Sequence, residues 1–156
     1  MTVLLEYVAL SPDPPRPPDR GPRSQARTYD SVAADRPILV VDDDPEILAM
    51  LRDFLESEGL IVRTAANGAE ALDALDEVAP ALILLDMRMP VLDGWAFAER
   101  YRERELTYPI VVMTAAESAR RWAEEIGATG YIAKPFDVTE LLETIERHRL
   151  RDSRPN

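Results

Sequence analysis

Four sets of residues in this chain carry groups that could do chemistry together. Asp42-Asp43-Asp44 follows the apolar run Ile38-Leu-Val-Val41, and Asp86 follows Ala81-Leu-Ile-Leu-Leu85. Thr114-Ala115 follows Pro109-Ile-Val-Val-Met113, and Lys134-Pro135 follows Tyr131-Ile-Ala133. Lys134 is the only lysine among eighteen basic residues; all the others are arginine. A lysine kept in such a chain points to an anion that needs a compact ammonium rather than a broad, planar guanidinium. Clustered carboxylates repel one another, and their pKa values rise unless a cation intervenes. Their oxygens suit Mg²⁺ or Mn²⁺, and Mg²⁺ typically takes one or two carboxylates and fills the rest of its shell with water and phosphate oxygens. A phosphoryl group is then the natural guest. Its oxygens can be met by the metal, the Thr114 hydroxyl, a backbone N–H near Ala115 and the Lys134 ammonium. A carboxylate can itself be the nucleophile that accepts such a group. Asp86, alone at its position beside the acid triplet, is the candidate.

These residues must be brought together by the elements that precede them. Ile38–Val41 reads as a buried strand. Asp44-Pro45 opens a helix as N-cap and first-turn proline, with Ile47, Leu51, Phe54 and Leu55 on its apolar face and Gly59 as its stop. Leu60–Thr64 is a second strand. Asn67 and Glu70 form a capping box for a helix bearing Leu72, Leu75 and Val78, which Pro80 ends. Ala81–Leu85 is the third strand, and a loop through Pro90 and Gly94 leads to a helix with Trp95, Phe97, Ala98 and Tyr101. Pro109–Met113 is the fourth strand, followed by a helix near Glu117–Ile126, a short fifth strand Tyr131–Ala133, and a last helix capped by Asp137 and Glu140. That helix is expected to bury Val138, Leu141, Leu142 and Ile145 and to turn His148 to solvent. Five strand–helix units predict an α/β, flavodoxin-like, doubly wound fold: a five-stranded parallel sheet in the order 2-1-3-4-5 with five helices. In such a sheet ligands bind outside the C-terminal strand ends. The acids, the hydroxyl and the lysine all fall there.

The bulk properties agree. The 156 residues suffice for one domain, and 46% hydrophobic content suffices for its core. There is no cysteine, hence no disulfide or thiolate metal site. No apolar stretch reaches the ~20 residues that span a bilayer, and no secretory signal is convincing, so a cytoplasmic protein without membrane partners is expected. Residues 1–36 carry five arginines and five acids; residues 37–156 carry 13 basic and 24 acidic side chains, and so all of the net charge of −11. Such a domain repels phosphate backbones, which argues against direct nucleic-acid binding. Six of the thirteen prolines lie in Ser11–Pro22, and residues 1–35 are expected to form a disordered, proline-rich extension. Residues 36–150 are expected to form the domain, and 151–156 a tail.

Val40-Val41-Asp42-Asp43-Asp44, Leu85-Asp86-Met-Arg-Met-Pro90 with Asp93-Gly94, Val112-Met-Thr114-Ala115 and Lys134-Pro135-Phe136 together resemble the receiver domain of bacterial two-component response regulators, over roughly residues 36 to 149. The resemblance implies that Asp86 accepts phosphate from a sensor histidine kinase or a phosphotransfer protein. It implies that Asp43, Asp86 and the Arg88 backbone carbonyl ligate Mg²⁺, with Asp42 acting through water. It implies that Lys134 pairs with the phosphate, that Thr114 moves toward it, and that Tyr131 swings inward when Thr114 moves. The Lys134-Pro135 bond is cis in the family. Only Arg151–Asn156 follows the last helix, so a stand-alone receiver is expected. It would act through a downstream protein target on helix 4, strand 5 and helix 5, a surface also compatible with a phosphorylation-dependent homodimer. The stretch from Thr114 to Lys134 is slightly short for the family, so the loop and helix after strand 4 are expected to be trimmed.

An Mg²⁺-dependent phosphohydrolase is the competing enzyme reading, because Asp42-Asp43-Asp44 contains an Asp-x-Asp pattern. That class expects Thr or Val two residues after the second acid, whereas Ile47 comes three after. A phosphate-independent scaffold is the third reading, and the intact acid set argues against it. Tyr131 can also be a packing aromatic, and Trp122 with Arg120-Arg121 either a partner contact or a half-buried tryptophan among solvated charges.

Overall fold

The structure, a computed structural model, describes residues 36–152. The expected disordered extension over residues 1–35 and the end of the tail lie outside the described residues. Strands Ile38–Val41 (β1), Val62–Ala65 (β2), Leu82–Asp86 (β3), Ile110–Ala115 (β4) and Gly130–Lys134 (β5) alternate with helices Pro45–Ser57 (α1), Gly68–Glu77 (α2), Gly94–Glu103 (α3), Ala116–Ile126 (α4) and Val138–Asp152 (α5). Every strand pair is parallel and the order is β2-β1-β3-β4-β5, the flavodoxin-like sheet expected from the sequence. The strand ends differ from the apolar runs that announced them. β2 starts at Val62 rather than Leu60, while β3 takes in Asp86, β4 reaches Ala115 and β5 takes in Gly130 and Lys134. An apolar run marks only the part of a strand that both helical layers cover. Backbone pairing continues past it, aligning Asp86 with Met113 and Ala115 with Lys134. The chemistry-bearing residues are therefore held by the sheet itself.

Buried strands alternate between two cores. Ile38 and Val40, Leu82 and Leu84, Val111 and Met113 pack with Leu51 and Leu55 of α1 and Leu141 and Ile145 of α5. Leu39 and Val41, Ile83 and Leu85, Ile110 and Val112 pack with Leu72, Leu75, Phe97, Trp122 and Ile126 of α2, α3 and α4. Asp42, Asp86 and Lys134 continue the first set; Thr114 continues the second.

The helix starts follow the expected caps. Asp44 Oδ1 accepts from the N–H groups of Glu46 and Ile47, with Pro45 in the first turn. Asn67 caps α2, and the Glu70 carboxylate reaches back to the Ala66 N–H. Asp137 accepts from the Glu140 N–H. α4 is the exception: β4 ends at Ala115, α4 begins at Ala116, and no side chain caps it. The helix follows the strand directly and runs for 11 residues.

Two expectations on α5 are corrected. His148 is buried, 6% exposed, on the same side as Leu141, Thr144 and Ile145, the i, i+3, i+4, i+7 stripe that packs on the sheet. Its ring rests on Gly130, where a Cβ would approach Nε2 to 2.3 Å. Val138 is 51% exposed, because the first turn of α5 begins beyond the end of β5. The helix also continues to Asp152, into the segment expected to be a tail.

The loop that frames Asp86 depends on close packing at Gly94. Its N–H donates to the Met87 carbonyl at 2.9 Å, and a Cβ there would stand 2.8 Å from the Met87 Cα and 3.1 Å from the Asp86 carbonyl oxygen. Gly94→Ala is expected to lower stability by about 1–3 kcal/mol, the usual cost of overpacking, and a urea midpoint identical to that of the parent would contradict this close-approach account.

Candidate functional site: an acid pocket closed by one lysine

The sheet ends bring Asp42, Asp43 and Asp86 into one cluster, each offering a carboxylate oxygen within 4.8 Å of the others. Asp42 is 1% exposed and both of its oxygens are engaged. Oδ1 accepts from the Asp44 N–H at 2.9 Å, and Oδ2 accepts from Lys134 Nζ at 2.9 Å. Lys134 thus reaches from the end of β5, over β4 and β3, to the acid that follows β1. The Lys134-Pro135 peptide is cis, as the resemblance implied.

Asp86 is the perturbed acid of the set. Burial, leaving it 8% exposed, pushes its carboxyl from 3.8 up to about 6. The Lys134 charge pulls the other way, Asp42 adds to the rise, and backbone N–H groups of Arg88 and Met87 hydrogen-bond to the carboxylate and lower it. Desolvation outweighs all the favourable partners, which leaves an anion short of positive charge.

This electrostatic deficit fits a divalent cation. Asp43 is exposed and clusters with Asp86, so the two offer carboxylate oxygens to a metal, whereas both oxygens of Asp42 are engaged by Lys134 and the Asp44 N–H. Asp44 points its carboxylate into the α1 cap. The Asp-x-Asp pattern thereby loses its second acid, which weighs against the phosphohydrolase reading.

Thr114 and Tyr131 do not join the cluster directly. Thr114 is 5% exposed and lies one register step beyond Met113, the partner of Asp86, on the parity that faces α2–α4. Tyr131 pairs with Val112 on β5 and is 42% exposed. A hydrogen bond to Tyr131, foremost, together with Glu124, raises the pKa of the Arg120 guanidinium on α4, so the ring of Tyr131 stands outward against that helix.

A cavity of about 380 Å³ opens beside the acids, bordered by Asp43, Arg88, Asp93 and Trp95. Asp93 is the N-cap of α3 and accepts from the Ala96 N–H at 2.9 Å. Trp95, on the apolar side expected for α3, is only partly buried against the core, and Trp122 has two expected roles. The structure buries Trp122, 6% exposed, and seats it edge-on against Trp95, with ring centroids 4.9 Å apart at 72°. The Arg88 guanidinium lies 5.1 Å over the Trp122 ring. The burial was legible in the helical spacing of Ala119, Trp122, Ala123 and Ile126. The meeting of residues 34 positions apart was not.

Residues 38–146 match the response regulator receiver domain family. An uncharacterized 14.6 kDa protein in the sodA1 3' region of Leptolyngbya boryana is 40% identical over 117 residues, covering 72% of this chain and 89% of that protein. The DNA-binding transcriptional regulator NtrC of Escherichia coli K12 is 39% identical over 112 residues, covering 70% of this chain but only 24% of NtrC. Among solved structures, chemotaxis protein CheY4 of Vibrio cholerae superposes with a TM-score of 0.67 at 33% identity, covering 74% of this chain and 99% of that one. The response regulator TrrA of Thermotoga maritima, solved in complex with Mg²⁺-BeF, superposes with a TM-score of 0.64 at 32% identity, covering 72% and 97%. Among the described residues no helix is long and apolar enough to cross a membrane. With the sheet order, the acid cluster, the lysine and the cis proline all in their places, the chain belongs to the receiver domain family of two-component response regulators.

Proposed function

We propose that this chain is a phosphoryl-accepting switch. The observation that carries the reading is the convergence of Asp42, Asp43 and Asp86 on one lysine, with Asp86 left electrostatically unsatisfied. An Asp86 oxygen attacks the phosphorus of a phosphohistidine on a histidine kinase or phosphotransfer protein. The P–N bond breaks, the imidazole leaves, and an acyl phosphate remains on Asp86. Asp43, Asp86 and the Arg88 carbonyl are the residues that would hold Mg²⁺ or Mn²⁺, with Asp42 reached through water. A bound divalent cation supplies charge neutralisation at the phosphoryl oxygens. Lys134, now paired with Asp42, is in reach of the same anion. Thr114 then turns to the phosphoryl group and Tyr131 moves inward from α4, changing the surface of α4, β5 and α5 that a downstream protein reads.

The reading is of a switch in the cytoplasm, not of a turnover enzyme: water cleaves the acyl phosphate on Asp86, returning the carboxylate and inorganic phosphate, and the acidic surface disfavours a nucleic-acid partner. A phosphorylation-dependent homodimer through α4, β5 and α5 is one form its output can take.

Beryllofluoride with Mg²⁺ is expected to shift amide resonances near Thr114 and Tyr131, and Asp86→Asn to abolish that response; an unmoved wild-type spectrum would sink the proposal. Lys134→Arg keeps the charge but is expected to reduce the Thr114 and Tyr131 shifts at saturating beryllofluoride, because the site is sized for an ammonium. A full response in that variant removes the need for an ammonium and leaves the acid pocket standing. Asp86 has a further consequence in metal-free protein. Its folded-state pKa, about 6, lies above the 3.8 of the free carboxyl, so the folded chain binds more protons between these values. Stability therefore falls as pH rises from about 4 to about 6, by at most roughly 3 kcal/mol. Urea unfolding across that range is expected to show the decline in wild type and its loss in Asp86→Asn; equal slopes for the two proteins would contradict it.

A further inference from the structure

The loop carrying Arg88 and the helix α4 are joined by a continuous chain of contacts that the Thr114–Tyr131 route does not use. Arg88, two residues after Asp86, stacks its guanidinium over Trp122 of α4. Trp122 meets Trp95, in the first turn of α3, edge to face. The Trp95 indole Nε1–H donates to Glu125 Oε2 of α4 at 3.0 Å, and Glu125 Oε1 lies 3.6 Å from Arg121 Nε on the same helix. Arg88 and Trp95 also border the cavity beside Asp43. The two ends of this chain are therefore the rim of the acid pocket and the outer face of α4.

The direct β4–α4 junction gives this link weight. No residue separates Ala115 from Ala116 and no side chain caps the helix, so there is no slack loop in which a displacement of β4 could be absorbed before it reaches α4. α4 is instead held laterally, by the cation on Trp122 and by the Glu125–indole hydrogen bond. Any change in the position of the 87–93 loop must move Arg88 against Trp122 or break that stacking.

We propose that Arg88, Trp122, Trp95 and Glu125 form a second coupling route, by which occupancy of the acid pocket repositions α4 independently of Thr114 and Tyr131. Trp122 is then a positioning residue, acting on the pocket through Arg88. The inference rests on the phosphoryl-switch reading and adds to it the path by which α4 responds.

The chain contains two tryptophans, so its two indole N–H resonances are assignable by single replacement, and that of Trp95 directly reads the bond to Glu125. The experiment records ¹H–¹⁵N spectra of the full chain with Mg²⁺ and beryllofluoride, and uses the bound ¹⁹F resonance to measure occupancy in each variant. In wild type, and in Thr114→Val compared at equal occupancy, the Trp95 indole is expected to shift. In Trp122→Leu it is expected to stay in place. Because Trp122 is buried, Arg88→Gln, at an exposed side chain, cuts the same link from the other end and is expected to give the same silence. A Trp95 indole that is silent in Thr114→Val, or that shifts in full in Arg88→Gln, overturns the second route while leaving the switch intact. Absence of a bound ¹⁹F resonance in wild type overturns the phosphoryl pocket, and the route with it.

Discussion

The ion pair between Asp42 and Lys134 joins residues 92 positions apart and crosses the top of the sheet from β1 toward β5. A carboxylate that is 1% exposed is tolerable only with an opposite charge at hydrogen-bond distance. Lys134 supplies it, and with it fixes the relation between β1 and the edge strand β5. That pairing also consumes Asp42, which divides the labour among three neighbouring acids. Asp42 anchors the lysine, Asp44 caps α1, and Asp43 with Asp86 keeps oxygens open to a cation.

The rest of the site follows from a charge imbalance. One ammonium lies among three clustered carboxylates, and burial, opposed by Lys134 and reinforced by Asp42, pushes the Asp86 carboxyl up to about 6. A pocket with this deficit favours whatever brings positive charge, and a divalent cation offsets it. The structural parts near it are arranged for close fit rather than flexibility. Gly94 lets α3 begin against Met87, and Asp93 caps that helix. A lateral, aromatic link runs from the pocket to α4 through Arg88 and Trp122, beside the direct junction of β4 and α4.

The elements and their caps were legible in the chain because both signals are local. A buried strand announces itself as an apolar run, and Asp44, Asn67 and Asp137 announce the helices that start at the next residue. Strand ends were less legible, since Asp86, Ala115 and Lys134 belong to the ladder by backbone pairing with neighbours distant in sequence. His148 was misread for a related reason. A polar side chain on a helix looks solvated until its stripe is completed by Leu141, Thr144 and Ile145 and met by Gly130. Val138 fails in the opposite sense: its apolar side chain begins a helix before the sheet is there to cover it.

What the amino-acid sequence determined by itself is the chemistry: three acids, a hydroxyl and the sole lysine, each following an apolar run that must become a strand of the sheet. The strand order could be anticipated from the number of units, because parallel crossovers of one hand leave few arrangements. The tertiary structure alone decided which acid pairs with Lys134, which is left with a raised pKa, and that Arg88 meets Trp122. Those outcomes depend on distances between strand ends and on desolvation, quantities that exist only once the sheet has closed over its two cores.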